Sequence, residues 1–175
     1  MNIGIIGAGS MGSGIAQVAA TAGEEVMVFD TNAASLDKAS ASLTKIMNRL
    51  VEKERVTRKE ADDILGRITF VDSLDYLENS ELVIEAIIEN LEVKQSVFSQ
   101  LEELVSDICI IASNTSSLSI ASISSACKNP ERVIGIHFFN PAPLMKLVEI
   151  IPSISTDQEV ADKAKATIDS WKKVT

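Results

Sequence analysis

The residues of this sequence best suited to moving a proton are one histidine and one glutamate twelve positions apart. His137 is the only histidine, followed by Phe138-Phe139-Asn140-Pro141, and Glu149 lies within the apolar run Leu147-Val148-Glu149-Ile150-Ile151. A carboxylate inside a buried strand is costly unless it is paired. Pro141 and Pro143 lie between the two segments and can turn the chain to set them side by side. Glu149 then accepts a hydrogen bond from one imidazole nitrogen, fixes the tautomer and stabilises the imidazolium. The other nitrogen is left as a general base. A lone histidine is more often structural, and it is the paired carboxylate that favours chemistry here.

A second group of residues is suited to binding. Gly7-Ala8-Gly9-Ser10-Met11-Gly12 follows the short apolar strand Asn2–Ile6. It opens a small-residue helix through Ile15, Ala16, Val18 and Ala19, with Gly23 placed to end it. Val26–Phe29 reads as the next strand, closed by Asp30. A GxGxxG pattern alone is weak, because glycines also gather in ordinary turns that hold no ligand. A complete strand-turn-helix-strand unit is more specific. Gly7 permits the tight turn, Gly9 lets backbone approach a pyrophosphate, and Gly12 lets the helix pack close to the sheet. The helix N-terminus supplies the positive end for a diphosphate. Asp30, 23 residues after Gly7, suits a ribose 2′-hydroxyl and would repel a 2′-phosphate, with no arginine at Thr31-Asn32 to compensate. These residues point to a dinucleotide, NAD rather than NADP.

Ser113-Asn114-Thr115-Ser116-Ser117 offers polar groups, at least one of which is expected to N-cap a helix starting near Leu118, with another available to hold a substrate oxygen. One histidine and two distant cysteines do not make a usual zinc site. No serine-hydrolase elbow is present.

These residues must be positioned by alternating elements. Ala33 to about Lys53 is a long amphipathic helix with Leu36, Leu43, Ile46, Met47 and Leu50 on one face. Lys38, Lys45, Arg49 and Lys53 form the adjacent stripe, which is either a solvated face or a landing place for a polyanion. Thr57 and Glu60 form a capping box for a helix to about Leu65. Strands are expected at Ile68–Val71, Leu82–Ala86, Ile108–Ala112, Val133–Phe138 and Leu147–Ile151. Helices are expected from Asn90, from Leu118 to Ala126, and from Asp157 to about Lys172. The fold class is α/β, a Rossmann-type doubly wound and mostly parallel sheet with helices on both faces. Ligands gather beyond the carboxyl ends of such strands. That places Gly7–Gly12, Asp30, Ala86–Asn90, Ser113–Ser117 and His137–Asn140 around one cleft.

The 175 residues correspond to about one domain. A net charge of −9 argues against nucleic acid as a partner. Residues 31–60 nevertheless hold seven Lys/Arg and four Asp/Glu, a local balance of +3. No apolar run suits a membrane span. The absence of a basic leader before the first strand and the two scattered cysteines, Cys109 and Cys127, lead us to expect a cytoplasmic protein with reduced, packed thiols.

Taken in order and spacing, these motifs resemble the N-terminal NAD-binding domain of the L-3-hydroxyacyl-CoA dehydrogenases, closest to the bacterial 3-hydroxybutyryl-CoA branch. The matching stretches are Gly7–Gly12, Val83-Ile84-Glu85-Ala86, Glu89-Asn90, Ser113–Leu118, His137–Pro141 and Leu147–Ile150. The resemblance implies that His137 exchanges the proton of the C3 hydroxyl, that Glu149 is its dyad partner and that Ser116 hydrogen-bonds the reacting oxygen. It also implies that Glu89, Lys94 and Asn114 line the cofactor cleft. Asn140 is expected on the substrate side, and Arg49 and Lys53 are expected to meet the phosphates of coenzyme A. Ser153 stands after Pro152 where the family usually has glycine. The family continues into a helical domain that closes the cleft and forms a homo-oligomer. Residues 1–175 are therefore expected to bind NAD and to turn over poorly alone. Two other readings stay open: a dehydrogenase of a β-hydroxyacid without coenzyme A, and a non-catalytic NAD(H)-binding module.

Overall fold

Apolar side chains on alternate faces of short strands need a helical layer on each side, and the chain supplies both. The computed structural model describes every residue from Met1 to Thr175. In chain order the strands are β1 (Asn2–Ile6), β2 (Glu25–Phe29), β3 (Ile68–Val71), β4 (Leu82–Glu85), β5 (Ile110–Ser113), β6 (Val133–Phe138) and β7 (Val148–Pro152). They form one sheet in the order β3-β2-β1-β4-β5-β6-β7, parallel throughout except that β7 runs antiparallel to β6.

Six helices accompany them: α1 (Ser10–Ala22), α2 (Ala33–Glu52), α3 (Arg58–Gly66), α4 (Leu91–Leu104), α5 (Ile120–Ser124) and α6 (Gln158–Ser170). Ile84, Ala112 and Ile134 point into the core shared with α1, α2, α3 and α6. Val83, Ile111 and Val133, their immediate neighbours, point into a second core with Phe98 and Leu101 of α4 and Ile120 and Ile123 of α5. The doubly wound, Rossmann-like sheet expected from the sequence is the observed fold. No helix is long and apolar enough to cross a membrane.

Local signals set the helix ends. Asn32 accepts from the Ala34 N–H at the start of α2, Thr57 and Glu60 close the capping box of α3, and Asn90 accepts from Val93 at the start of α4. Gly23 ends α1 in the left-handed region at φ 101°.

Three features differ from the sequence expectation. The fifth strand begins at Ile110, because Asp107 and Ile108 turn at the surface and Ile108 is exposed. Helix α5 starts at Ile120 because Ser119, rather than any residue of Ser113–Ser117, caps it by accepting from the Ser122 N–H. Strand β7 is an edge strand of alternating exposure, with Val148 buried and Glu149 exposed, so Glu149 is not the buried charge inferred from its apolar neighbours.

Candidate active site

The glycine turn joins β1 to α1 at the middle of the sheet. Gly7 has φ +102°, and a Cβ there would meet the Ala86 carbonyl oxygen at 2.7 Å. A Cβ on Gly12 would lie 1.8 Å from the Gly7 carbonyl oxygen, so this contact admits no side chain. A Cβ on Gly9 would meet nothing within 4 Å. Gly9 is also the N-cap of α1 and makes no side-chain cap, which leaves the helix N-terminus open to an anion. Tight backbone at Gly7 and Gly12 with open space at Gly9 fits a diphosphate seat.

Asp30 follows β2 at the same rim. Its carboxylate accepts from Ala8 N–H at 2.8 Å and from Asn32 N–H at 2.9 Å. Each oxygen keeps a lone pair for a ribose hydroxyl, since a carboxylate oxygen accepts two bonds. The residues present therefore fit a nicotinamide dinucleotide.

The ends of β4, β5 and β6 meet beside this turn in a pocket of about 320 Å³. Its lining includes Met11, Glu89, Lys94, Asn114, Ser116, His137 and Asn140, all predicted from the sequence. Asn140 also lines a groove of about 700 Å³ that runs between α1, α2 and the 140–144 turn past Gly9 and Ser10, so the pocket and the groove share this residue as a border.

His137 and Glu149 are directly paired across β6 and β7. The imidazole Nδ1 lies 2.8 Å from Glu149 Oε2, and the Phe139 ring is tilted against the imidazole at a centroid distance of 4.7 Å. Nε2 is left unpaired. A carboxylate on Nδ1 favours the tautomer with its lone pair on Nε2, which is what a general base on the pocket wall requires.

Glu89 accepts from the Thr115 hydroxyl at 2.8 Å and the Ser116 N–H at 2.9 Å. Burial pushes its carboxyl up, but the Ser116 N–H, the Thr115 hydroxyl and the Lys94 ammonium outweigh it and hold the group below the ordinary glutamate value. The Asn114 side-chain oxygen accepts from Phe138 N–H at 2.8 Å and so ties the end of β5 to the strand that carries His137.

Two predicted residues lie elsewhere. Arg49 and Lys53 are exposed on α2 and line neither the pocket nor the groove. The basic residue that does line the groove is Lys38, together with Ser42, Ile46 and Leu50. Glu85 and Thr115 stand within the motifs named above but have no individual role assigned there. A carboxylate closing the apolar strand Leu82–Glu85 was the available signal for the first, and Thr115 was hidden among five consecutive polar residues. Burial pushes the thiols of Cys109 and Cys127 up to about 12 and about 11, so neither is a nucleophile at neutral pH.

Comparison with known proteins agrees with this geometry. The family model described as 3-hydroxyacyl-CoA dehydrogenase, NAD binding domain, matches residues 2–175. A 3-hydroxybutyryl-CoA dehydrogenase of Mycobacterium tuberculosis is 42% identical over 164 residues, covering 93% of this chain and 57% of the relative. A 3-hydroxyadipyl-CoA dehydrogenase of Escherichia coli is 41% identical over 171 residues, 98% of this chain and 36% of that protein. The crystal structure of (S)-3-hydroxybutyryl-CoA dehydrogenase from Ralstonia eutropha superposes with a TM-score of 0.95 at 38% identity, covering 98% of this chain and 61% of that one. The chain thus spans less than two thirds of the length of each.

Proposed function

The chain belongs to the 3-hydroxyacyl-CoA dehydrogenases, as their NAD-binding domain, and on that premise we propose that it serves the interconversion of a short (S)-3-hydroxyacyl-CoA, such as 3-hydroxybutyryl-CoA, and its 3-ketoacyl-CoA in the cytoplasm. The observation that carries this reading is the carboxylate-paired His137, its Nε2 unbonded, in the lining of a pocket that shares Asn140 with the groove past Gly9 and Ser10.

In the oxidising direction His137 takes the proton of the C3 hydroxyl on Nε2, and in the reducing direction it returns that proton to the same oxygen. Glu149, at Nδ1, holds the ring and balances the imidazolium charge. The Ser116 hydroxyl makes no bond within the chain and is free to donate to the reacting oxygen. NAD, when bound, supplies the hydride acceptor; Gly7 to Gly12 and Asp30 hold its diphosphate and ribose, and Glu89, Lys94 and Asn114 line its cleft. Asn140 lines both the pocket and the groove, and in this reading the acyl end sits in the pocket and the coenzyme A arm follows the groove along α2. Arg49 and Lys53 continue the Lys38 stripe beyond the groove and meet the phosphates.

The test is reduction of acetoacetyl-CoA by NADH with full-length enzyme and its His137→Gln variant. Turnover falls by about 100-fold or more while NADH affinity holds. Unchanged turnover removes His137 from the chemistry.

A further inference from the structure

Glu85 has no part in the chemistry above, yet its carboxylate is 0% exposed and makes three bonds at the rim of the pocket. It accepts from the Ile87 N–H at 2.7 Å, from Lys94 Nζ at 2.6 Å and from the Ser113 hydroxyl at 2.7 Å. Ser113 stands opposite it in the register of β4 and β5, and the Ser113 oxygen accepts in turn from the Thr115 N–H at 3.2 Å. One buried carboxylate therefore ties together the loop after β4, the loop after β5 and the first turn of α4. Those loops bring Ile87, Glu89, Asn114 and Ser116 to the pocket wall, and α4 brings Lys94.

A buried ion pair is weak evidence for stability, since an apolar pair of similar shape often serves as well. What an apolar pair cannot supply is an ammonium held at a chosen point. Lys94 is 1% exposed and has a second carboxylate available, Glu89 at 3.6 Å. Glu89 is already occupied by Thr115 and Ser116. If the charge of Glu85 is removed, Glu89 is the anion left for Lys94, and that attraction competes with the bonds that fix Ser116.

We propose that Glu85 is a positioning residue for the hydride-transfer site: it takes the short bond of Lys94, so that the ammonium comes no nearer than 3.6 Å to Glu89 and the Glu89 carboxylate keeps its bonds to Thr115 and the Ser116 loop. This rests on the dehydrogenase reading above. Glu85 lines neither the pocket nor the groove, and its effect passes through Lys94.

The experiment is a double-mutant cycle in the full-length enzyme with Glu85→Gln, Lys94→Met and the pair together. NADH affinity, kcat, KM for acetoacetyl-CoA and Tm are measured for each. Glu85→Gln is expected to weaken NADH binding and lower kcat/KM, each by about tenfold, as coupling between contacting groups allows. The double variant is expected to be no worse than Lys94→Met alone, and to have a higher Tm than Glu85→Gln because the unpaired buried ammonium is gone. Losses that multiply in the double variant would overturn the proposal. So would a Glu85→Gln enzyme with lowered Tm but unchanged NADH affinity and kcat/KM, which is the outcome of a purely structural role. If Glu85→Gln does not fold, the double variant is compared with Lys94→Met, where equal values support the proposal and a further loss overturns it. A wild-type enzyme inactive on acetoacetyl-CoA counts against the dehydrogenase reading, and the NADH affinities still decide the role of Glu85.

Discussion

His137 and Glu149 occupy opposed positions on two antiparallel strands, with Nδ1 and Oε2 2.8 Å apart. Opposed residues share a face of the sheet, so the pairing follows from register rather than from any local turn. A slip of one residue would send the carboxylate to the other face. Val148, buried opposite Phe138, opposes that slip because it would leave the core. The Glu149 side chain is 49% exposed, so the dyad sits at a rim that solvent reaches.

Glu149→Gln tests how much the charge matters. Glutamine keeps an acceptor near Nδ1 but no longer balances an imidazolium. Because the carboxylate is half exposed, water screens part of its effect. The expected fall in kcat is therefore about tenfold to a hundredfold, smaller than for His137→Gln. NADH affinity, measured by titration, stays within error. A kcat equal to wild type would show that Glu149 orients nothing the reaction needs.

The glycine turn yields a pair of opposite outcomes. Gly12→Ala forces a carbon to within 1.8 Å of a backbone oxygen, so the chain must shift, and stability falls by about 1–3 kcal/mol. Gly9→Ala meets nothing within 4 Å, so Tm stays at the wild-type value. Its methyl group instead occupies the space reserved for a diphosphate, and NADH binding is expected to weaken by about tenfold or more. Thermal melts and NADH titration of the two variants distinguish the roles. A Gly9→Ala protein that binds NADH normally would refute the assigned seat.

Most of the sheet is legible because buried parallel strands are nearly pure apolar runs, and because caps such as Thr57 and Asn90 mark helix starts by side-chain chemistry alone. Ile108 misled because an apolar residue in a surface turn looks like the first residue of a strand. Glu149 has the expected partner, but burial is not what demands it: β7 is an edge strand and the side chain is half exposed. The link between Glu85 and Lys94 is invisible as a pair, since they lie nine positions apart, one at a strand end and the other in a helix beyond a loop. Helical periodicity gave Lys38, Arg49 and Lys53 equal standing, and only the path of the 140–144 turn selects Lys38 as groove lining.

Acid should loosen the Ser116 loop through Glu89. Its carboxyl is held below the ordinary value of 4.5, so folding gains from its ionised form. The contribution is complete above the unfolded value and is lost as pH falls through the lower folded one. On acidification below pH 4.5 the wild-type Tm should therefore fall more steeply than that of Glu89→Gln, which lacks this titration. Melts of both proteins across that range check it. Parallel curves would mean that the bonds from Thr115 and Ser116 add nothing to stability.

The basic stripe of α2 permits the sharpest test of the thioester assignment. Lys38 and Lys53 are separated by about 22 Å of helix, more than a Debye length at physiological salt. One anionic group cannot engage both. Lys38 shares its groove with Gly9 and Ser10, whereas Arg49 and Lys53 stand beyond the groove and have no carboxylate partner. Charge reversal at Lys38 is therefore expected to weaken NADH binding as well as acyl-CoA binding. Reversal at Arg49 and Lys53 together is expected to raise KM for acetoacetyl-CoA by about tenfold or more, to leave NADH affinity alone, and to flatten the salt dependence of KM. Steady-state kinetics of the full-length variants at low and high salt read all three. If KM for the thioester does not move in the Arg49 and Lys53 variant, coenzyme A phosphates do not lie on this stripe, and a β-hydroxyacid without coenzyme A becomes the better substrate.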